Sequence, residues 1–513
     1  MPLRGDFMRK QKPFNRSHGI LMPIFSLSSD YGIGTLGGPS KRFIDFLYRA
    51  GCNMWQMLPL GPTGYGDSPY QCFSAFAGNP YFLDPEYFFK KGWITEEILN
   101  KFKSQNKGAV DYGYLYKTRK PLLERVFEGF LRFATADSKR DFEEYTEKNK
   151  YWLSDYSFYM ALKECYGNVG REDFLNFNLK SEDALDFCRE ELRQRLKFFA
   201  FLEYAFDVQW QELKGYAKEK NILLVGDIPL YVSNDSADVW ANPELFLLDE
   251  KGRPALVAGV PPDMFSAEGQ LWGNPIYNWE NHKKQSYLWW SRRIARQSEF
   301  FDVIRIDHFI GICRYYAIPY GAENAKLGSW CDGPQKNLTD VFKKSGNDIK
   351  FIAEDLGIVT KEVKNLIKST GFPGMRLMEF AFSGEDNPNM PHNIPKNSVV
   401  YTGTHDNQTA VGFFKDCPLK IRQNAKRYMN LKQSGMLAKG IIRECHKSAA
   451  NTVIIPLYDY LGLDDSARIN TPSTSFGNWI WRISKDPSNM LADEIFALAE
   501  IYKRNNRKPK TAL

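Results

Sequence analysis

Eight short apolar runs, rich in β-branched and aromatic residues, constrain the fold of this chain more than any other feature. They are GILMPIFSL (19–27), NMWQMLPL (53–60), NILLVGDIPLYV (221–232), DVIRIDHF (302–309), IKFIAEDLG (349–357), GMRLMEFAF (374–382), SVVYTGTHD (398–406) and TVIIPLYDYLG (452–462). Apolar residues run on through them instead of alternating with polar ones, as in strands covered on both faces. Helical patterns lie between several of them. KRFIDFLYRAG (41–51) ends in a glycine suited to a helix C′ position. KEVKNLIKST (361–370) places Val363, Leu366 and Ile367 at helical spacing. Strand, helix, strand repeated in this way predicts an α/β fold with a parallel sheet. Eight such strands close naturally into a (β/α)8 barrel of TIM type.

A chain of 513 residues exceeds a plain barrel, so insertions are expected on a single barrel domain spanning 1–513. Residues 84–200 are charged, aromatic and helical in pattern, which predicts a helical insertion subdomain after strand 2. Residues 233–285 contain Pro243, Pro254, Pro261, Pro262 and Pro275. They predict a long insertion after strand 3, of the kind that serves as a lid or binding loop. A hydrophobic share of 43% and a charged share of 25% fit a soluble globular protein. The net charge of +7 is mild and spread out, with no nucleic-acid-binding stripe; the longest basic cluster, NRKPKTAL, reads as a solvated tail. No run of ~18 apolar residues offers a membrane span. The N-terminal MPLRGDFMRKQKPFNRS lacks the apolar core of a signal peptide. The eight cysteines include no C-x-x-C pair, which predicts reduced, mostly core thiols in a cytoplasmic protein.

The strand ends carry the chemistry. In VIRIDHF (303–309), alternation along a strand puts Val303, Arg305 and Asp307 on one face and Ile304 and Ile306 on the other. With the isoleucines against the outer helices, Arg305 and Asp307 point into the barrel mouth. Asp307 then lies near the carboxyl end of its strand, where barrel active sites lie. Strand 5 ends in Glu354 and Asp355, strand 7 in His405 and Asp406, and strand 3 carries Asp227 late. A single strand-end acid commonly serves a turn or helix N-cap, and Asp355 reads that way. Four strands delivering acids to one rim point instead to carboxylate chemistry. The six histidines show no H-x-x-x-H spacing, so a metal is not the first expectation, although carboxylates alone could hold magnesium or calcium. Glycoside cleavage needs one ionised carboxylate and one protonated acid flanking the bond. Arg305 would favour a charged Asp307, a candidate nucleophile. Glu354 follows Phe351, Ile352 and Ala353, an apolar setting that keeps a carboxylic acid protonated, as a general acid requires. Asp406 could hold sugar hydroxyls and stabilise positive charge.

With these residues in hand, the sequence resembles the amylomaltase family of 4-α-glucanotransferases, or disproportionating enzymes, over nearly its whole length. The likeness is carried by SLSSDYGIGTLG (26–37), LPLGPTGYGDSPYQCFSAFAGNPYFLDP (58–85), VGDIPLYVSNDSADVWANPELF (225–246), AGVPPDMFSAEGQLWGNPIYNW (258–279), RIDHF, AEDLG, GTHDN and NWIWR (478–482). The resemblance implies a barrel with no separate C-terminal β-domain. It implies Asp307 as nucleophile, Glu354 as general acid/base and Asp406 as transition-state stabiliser. Arg305 and His405 would contact the acids and the sugar, and Asp227 and Tyr65 the sugar. Trp272, in a loop closing over the substrate, would form an aromatic wall, and Asn470 of RINTP a further contact. The implied reaction is retaining transfer between α-1,4-glucan donors and acceptors, with no cofactor. An α-glucan hydrolase of α-amylase type would use the same acids, and a non-catalytic glucan-binding protein is a third reading. Ser473 stands where glycine is common in the family, leaving the geometry of its loop open. His308 would either orient the strand end or touch sugar.

Overall fold

The computed structural model describes residues 10–505 except 107, 169, 175–181, 263–265, 347–348 and 475. The basic tail NRKPKTAL and the first nine residues thus lie outside the described residues. The strands are β1 (Ser17–Leu21), β2 (Met54–Gln56), β3 (Leu223–Ile228), β4 (Leu256–Val260), β5 (Gln270–Pro275), β6 (Val303–Ile306), β7 (Arg314–Pro319), β8 (Ser329–Asp332), β9 (Lys350–Ala353), β10 (Gly374–Leu377), β11 (Ser398–Tyr401) and β12 (Thr452–Pro456). β1, β2, β3, β6, β9, β10, β11 and β12 form a closed parallel barrel in that order, with β1 against β12. Each of the eight apolar runs supplies one of these strands, so the chain is a TIM-type barrel as its sequence predicts. β6, β11 and β12 are buried along their whole lengths, which is why no polar alternation marks them.

The helices expected at 41–51 and 361–370 form as Gly38–Arg49 and Lys361–Thr370. Gly51 and Gly371 follow them in the left-handed region, at φ 71° and 77°. The crossover from β10 to β11 differs from the regular pattern. It holds only the 3-10 helix Met378–Ser383, because Gly384, Pro388, Pro391 and Pro395 follow and stop helix propagation.

Between β2 and β3 the chain forms the helices Pro85–Lys90, Glu96–Phe102, Tyr112–Phe133, Ala136–Cys165 and Arg193–Glu219, with shorter pieces between the last two. The boundary expected near 200 falls inside Arg193–Glu219. That helix runs on to β3 and docks on the barrel through Trp210, whose indole N–H donates to Phe300 O at 3.0 Å. The excursion at 233–285 is more ordered than its prolines suggest. It contributes β4 and β5 to a second, antiparallel sheet of order β5-β4-β7-β8, completed by two strands that follow β6. β7 and β8 are RYYAIP and SWCD, too short for periodicity to separate from loop. The cysteine expectation needs a correction of degree. All eight are thiols outside any disulfide, but only Cys52, Cys313, Cys417 and Cys445 are buried, and Cys165 is exposed.

The end of the barrel away from the strand-end acids is tied together by arginines. Arg504 is fully buried. It donates to the carbonyls of His446 (2.8 Å), Ser17 (3.1 Å), Asn451 (3.2 Å), Ser448 (3.0 Å) and Ala450 (3.0 Å). Burial, helped by nearby Arg16, lowers its pKa to about 9, still high enough to remain charged at neutral pH. Arg504→Ala would remove five buried bonds at once, although Arg16 also reaches the carbonyls of His446, Ser448 and Ala450, and the Ser17 N–H that of Asn451. The substitution is expected to cost about 3–5 kcal/mol, read as a lowered denaturation midpoint with unchanged kcat in the surviving folded fraction.

Candidate active site

β3 and β6 are neighbours, and their register places Asp227 opposite Arg305. Arg305 Nη1 donates to Asp227 Oδ1 and Oδ2 at 2.7 and 2.6 Å and lies 2.9 Å from Asp307 Oδ1. One guanidinium therefore joins acids from two strands. It is 3% exposed, a position tenable for a charge only with such partners. Burial alone would lower its pKa; Asp227 and Asp307 outweigh that and hold it well above the ordinary value. Asp307 follows β6, its N–H still donating to Ile228 O at 3.0 Å as the strand ladder would. Its side chain is 28% exposed, so it opens to the barrel mouth where Arg305 does not.

Glu354 follows β9, and its N–H donates to Ile306 O at 3.1 Å. Its carboxyl is buried and accepts two backbone N–H groups, from His308 to Oε2 and from Leu356 to Oε1, each at 2.8 Å. Burial first, then the charge of Asp307, pushes this carboxyl up to about 8, against the pull of Arg305 and the Leu356 N–H. His308 aims its N–H at Glu354 from a left-handed backbone, φ 49°, a conformation costly for a non-glycine residue and concentrated at functional sites. Its imidazole meets the Trp272 ring edge-on, centroids 4.8 Å apart, with Tyr231 beside both. Burial lowers the His308 imidazole to about 4, so it is neutral at ordinary pH.

The opposite side of the site is built on the segment after β11. Tyr70 OH donates to Asp227 Oδ2 at 2.8 Å, so the His405 Nε2 that lies 2.8 Å from the Tyr70 hydroxyl oxygen is the donor to it. The two rings stack at 5.2 Å. His405 Nε2 is 3.3 Å from Asp406 Oδ2, and Asn470 Nδ2 donates to Asp406 Oδ1 at 2.6 Å. Desolvation raises the Asp406 carboxyl. His405, the Asn470 amide and Arg305 together outweigh it and bring Asp406 down to about 2. Between about pH 2 and about pH 8 Asp406 is thus ionised while Glu354 is protonated.

The structure brings Asp227, Arg305, Asp307, Glu354, His405, Asp406 and Asn470 into one network, with Trp272 joined to it through His308. Tyr65 is not in it. It is fully exposed on the loop after β2, and Tyr70, five residues on, is the tyrosine that reaches the acids. Sequence reasoning also passed over Trp479, whose ring lies 6.0 Å from His405, and Arg468, which donates to Asp406 O at 2.9 Å. Tyr70 lies inside the block 58–85 and Trp479 inside NWIWR, both quoted above, but nothing local separates Tyr70 from Tyr65. Asp355 is not a helix N-cap, since Thr360 caps the following helix. It accepts the Met375 N–H of β10 at 2.6 Å and pairs with Arg376. Ser473 adopts φ 65°, the left-handed conformation that glycine takes freely, so its loop keeps a glycine-type turn at a cost of about 1 kcal/mol. Asp263, Met264 and Phe265, in the loop expected to cover the substrate, lie outside the described residues. Among the described residues no cluster of three or more His, Cys, Asp and Glu is arranged to hold a metal ion, and no helix is long and apolar enough to cross a membrane.

A family model described as 4-alpha-glucanotransferase matches residues 22–487. The chain is 43% identical to a 4-alpha-glucanotransferase of Clostridium butyricum, over 94% of this chain and 100% of that protein. It is 41% identical to one from Aquifex aeolicus, over 92% and 96%. Its fold superposes on an amylomaltase from Streptococcus agalactiae, solved in complex with acarbose, with a TM-score of 0.92 and 37% identity, covering 96% of this chain and 100% of that one.

Proposed function

Because this chain belongs to the 4-alpha-glucanotransferase family, we propose that its barrel-mouth network transfers α-1,4-glucan segments between maltooligosaccharides by double displacement with retention. One observation carries the assignment of roles. Two neighbouring carboxyl groups have opposite surroundings: Glu354 is buried and held up to about 8, while Asp307 opens to the mouth with Arg305 at 2.9 Å. The first suits a general acid and the second a nucleophile. Glu354 protonates the departing glycosidic oxygen as Asp307 attacks the anomeric carbon. The bond to the leaving fragment breaks, and a covalent glucosyl–Asp307 ester forms. The 4-hydroxyl of an acceptor glucan then attacks that carbon, passes its proton to Glu354 and releases Asp307. Asp406, ionised and oriented by Asn470 and His405, stabilises the positive charge on the ring in both steps. Arg305, Asp227 and Tyr70 fix the cluster, and no step uses a cofactor.

Transfer requires that a sugar hydroxyl outcompete water, which an oriented acceptor achieves through its effective molarity. Trp272, His308 and Tyr231 form an aromatic wall beside Glu354, and Trp272 stands on β5 rather than in the loop its sequence suggests, so the β4–β5 pair that carries it is the proposed cover. We take 1–513 as one catalytic domain carrying a helical insertion between β2 and β3 and a second insertion between β3 and β6, working in the cytoplasm on starch- or glycogen-type glucans. The exposed Tyr65 would contact glucan beyond the central site.

Incubation with maltotriose tests this reading. Glucose and a ladder of longer maltooligosaccharides are expected, with little rise in total reducing ends. A rise in reducing ends equal to the glucose released would establish the α-amylase-type hydrolase instead. Binding without any turnover would leave only the glucan-binding reading.

A further inference from the structure

Two buried acids at the carboxyl ends of barrel strands have no place in the reaction described above. Glu379 follows β10 and is 4% exposed; Asp459 follows β12 and is 3% exposed. Acids at this face of a barrel ordinarily serve the site. Asp459 has clear partners. One oxygen accepts the Thr402 hydroxyl and the other accepts the Ala410 N–H at 2.7 Å, so it grips both ends of the loop 402–410 that carries His405 and Asp406. Asp465 accepts Thr409 N–H at 2.8 Å, Arg468 holds Asp406 O, and Tyr458 OH donates to Thr404 O at 3.0 Å. The same loop is therefore fastened along its length from behind.

Glu379 differs. Its N–H donates to Thr402 O at 3.0 Å, but its buried Oε1 has no hydrogen-bond partner. It lies directly against Gly403: a Cβ added at Gly403 would come 2.8 Å from that oxygen and 3.0 Å from the carboxyl carbon. An unsatisfied buried carboxyl costs stability, and a carbon side chain would fill the same space more cheaply. Glu379 stands behind the loop of a catalytic aspartate, where the shape of its polar side chain sets how closely Gly403 approaches.

We propose that Glu379 is a positioning residue for Asp406, setting through Gly403 the depth at which the 402–410 loop presents His405 and Asp406 to the sugar. The inference rests on Asp406 being the transition-state stabiliser. The charged neighbours of Glu379 are Asp459, Arg468 and Asp465. Burial and the two aspartates raise its own carboxyl well above the ordinary value, against the pull of Arg468, so it works as a neutral group. A neutral isostere therefore replaces it, and a truncation does not.

The test compares Glu379→Ala, Glu379→Gln and Asp406→Asn on maltotriose, with kcat, KM and denaturation midpoint measured for each. Displacing a catalytic group by about 1 Å costs on the order of 100-fold in rate, so Glu379→Ala is expected to lose about that much in kcat while KM changes less than about threefold. Glu379→Gln should recover most of the loss. Wild-type kcat in Glu379→Ala, a loss confined to the midpoint, or Glu379→Gln as impaired as Glu379→Ala would each overturn the proposal. If Glu379→Ala does not fold, Gly403→Ala serves when made beside Gly403→Ala/Glu379→Gln, because its added methyl meets both the Glu379 carboxyl at 2.8 Å and Asn407 Cβ at 2.9 Å, and an equal kcat loss with and without the carboxylic acid supports a contact of shape. Gly403→Ala should lower kcat, and wild-type kcat there overturns the proposal equally. Asp406→Asn separates the two claims. Near-normal activity in that variant would remove the premise, whereas its inactivity beside an active Glu379→Ala would remove only the positioning role.

Discussion

Asp307→Asn is expected to lower kcat for maltotriose disproportionation by at least about 10⁴-fold, the scale seen when a covalent nucleophile is removed. An amide cannot form the ester intermediate, and among the described residues the neighbouring carboxylates are held by other partners. Glu354 is turned toward the His308 and Leu356 N–H groups, and Asp406 is held by Asn470 and His405. The substitution should leave the fold intact. Asp307 is partly exposed, its backbone bond to Ile228 is unaffected, and Arg305 keeps both bonds to Asp227. A denaturation midpoint close to wild type together with loss of turnover is the expected pair of results. Mass spectrometry of enzyme trapped with a slow glucosyl donor should find the adduct on the peptide containing Asp307. An adduct on the Asp406 peptide would exchange the two roles.

How much of this was legible beforehand depends on the range over which each signal acts. Barrel strands buried on both faces leave a continuous apolar run, a local mark, and all eight were readable from it. The acids at their ends were readable because strand position fixes where a side chain goes once the barrel closes. The antiparallel sheet was not, because β4 and β7 are short and their pairing joins segments that follow different barrel strands. Tyr70 was missed for a related reason. Its partners Asp227 and His405 are 157 and 335 residues away, so nothing near it in sequence marks it as inward-facing, while Tyr65 looks equivalent and is fully exposed. The pKa contrast between Glu354 and Asp406 was legible only in part. The apolar residues before Glu354 foretell burial, but the depression of Asp406 comes first from its neighbour His405 and then from Asn470, 64 residues later, and Arg305, which no local signal joins to it. Glu379 lies within GMRLMEFAF, where it reads as a polar interruption of a strand. Only the closed barrel puts it behind Gly403.

Glu354→Gln is expected to lower kcat by about 10³–10⁴-fold on natural glucans, since leaving-group protonation in the first step and base catalysis in the second both fail. The two losses can be separated. Fluoride leaves an α-maltosyl fluoride donor without needing a proton, so the variant should form the maltosyl–Asp307 intermediate from it at a rate much nearer wild type, and then stall. If the fluoride is cleaved as slowly as maltotriose, Glu354 is not the acid. The pH dependence follows from the same carboxyl. The first step needs it protonated, so wild-type kcat/KM should fall as pH rises through about 8, and the variant should lose that limb. Stability moves in the opposite sense. The folded-state value of about 8 lies above the ordinary 4.5, so between these values the unfolded chain releases a proton that the folded one retains. The folded state is progressively disfavoured as pH rises from 4.5 to 8, and unaffected below that window. Glu354→Gln removes the penalty, so its midpoint should exceed wild type by a few degrees at pH 8 and match it near pH 4. Asp406, depressed to about 2, makes the reverse contribution, present above its ordinary 3.8 and lost as pH falls toward 2. A site whose acid weakens the fold at the pH where it works, and whose stabilising carboxylate strengthens it, is the pattern expected when burial has been set by the reaction and not by stability.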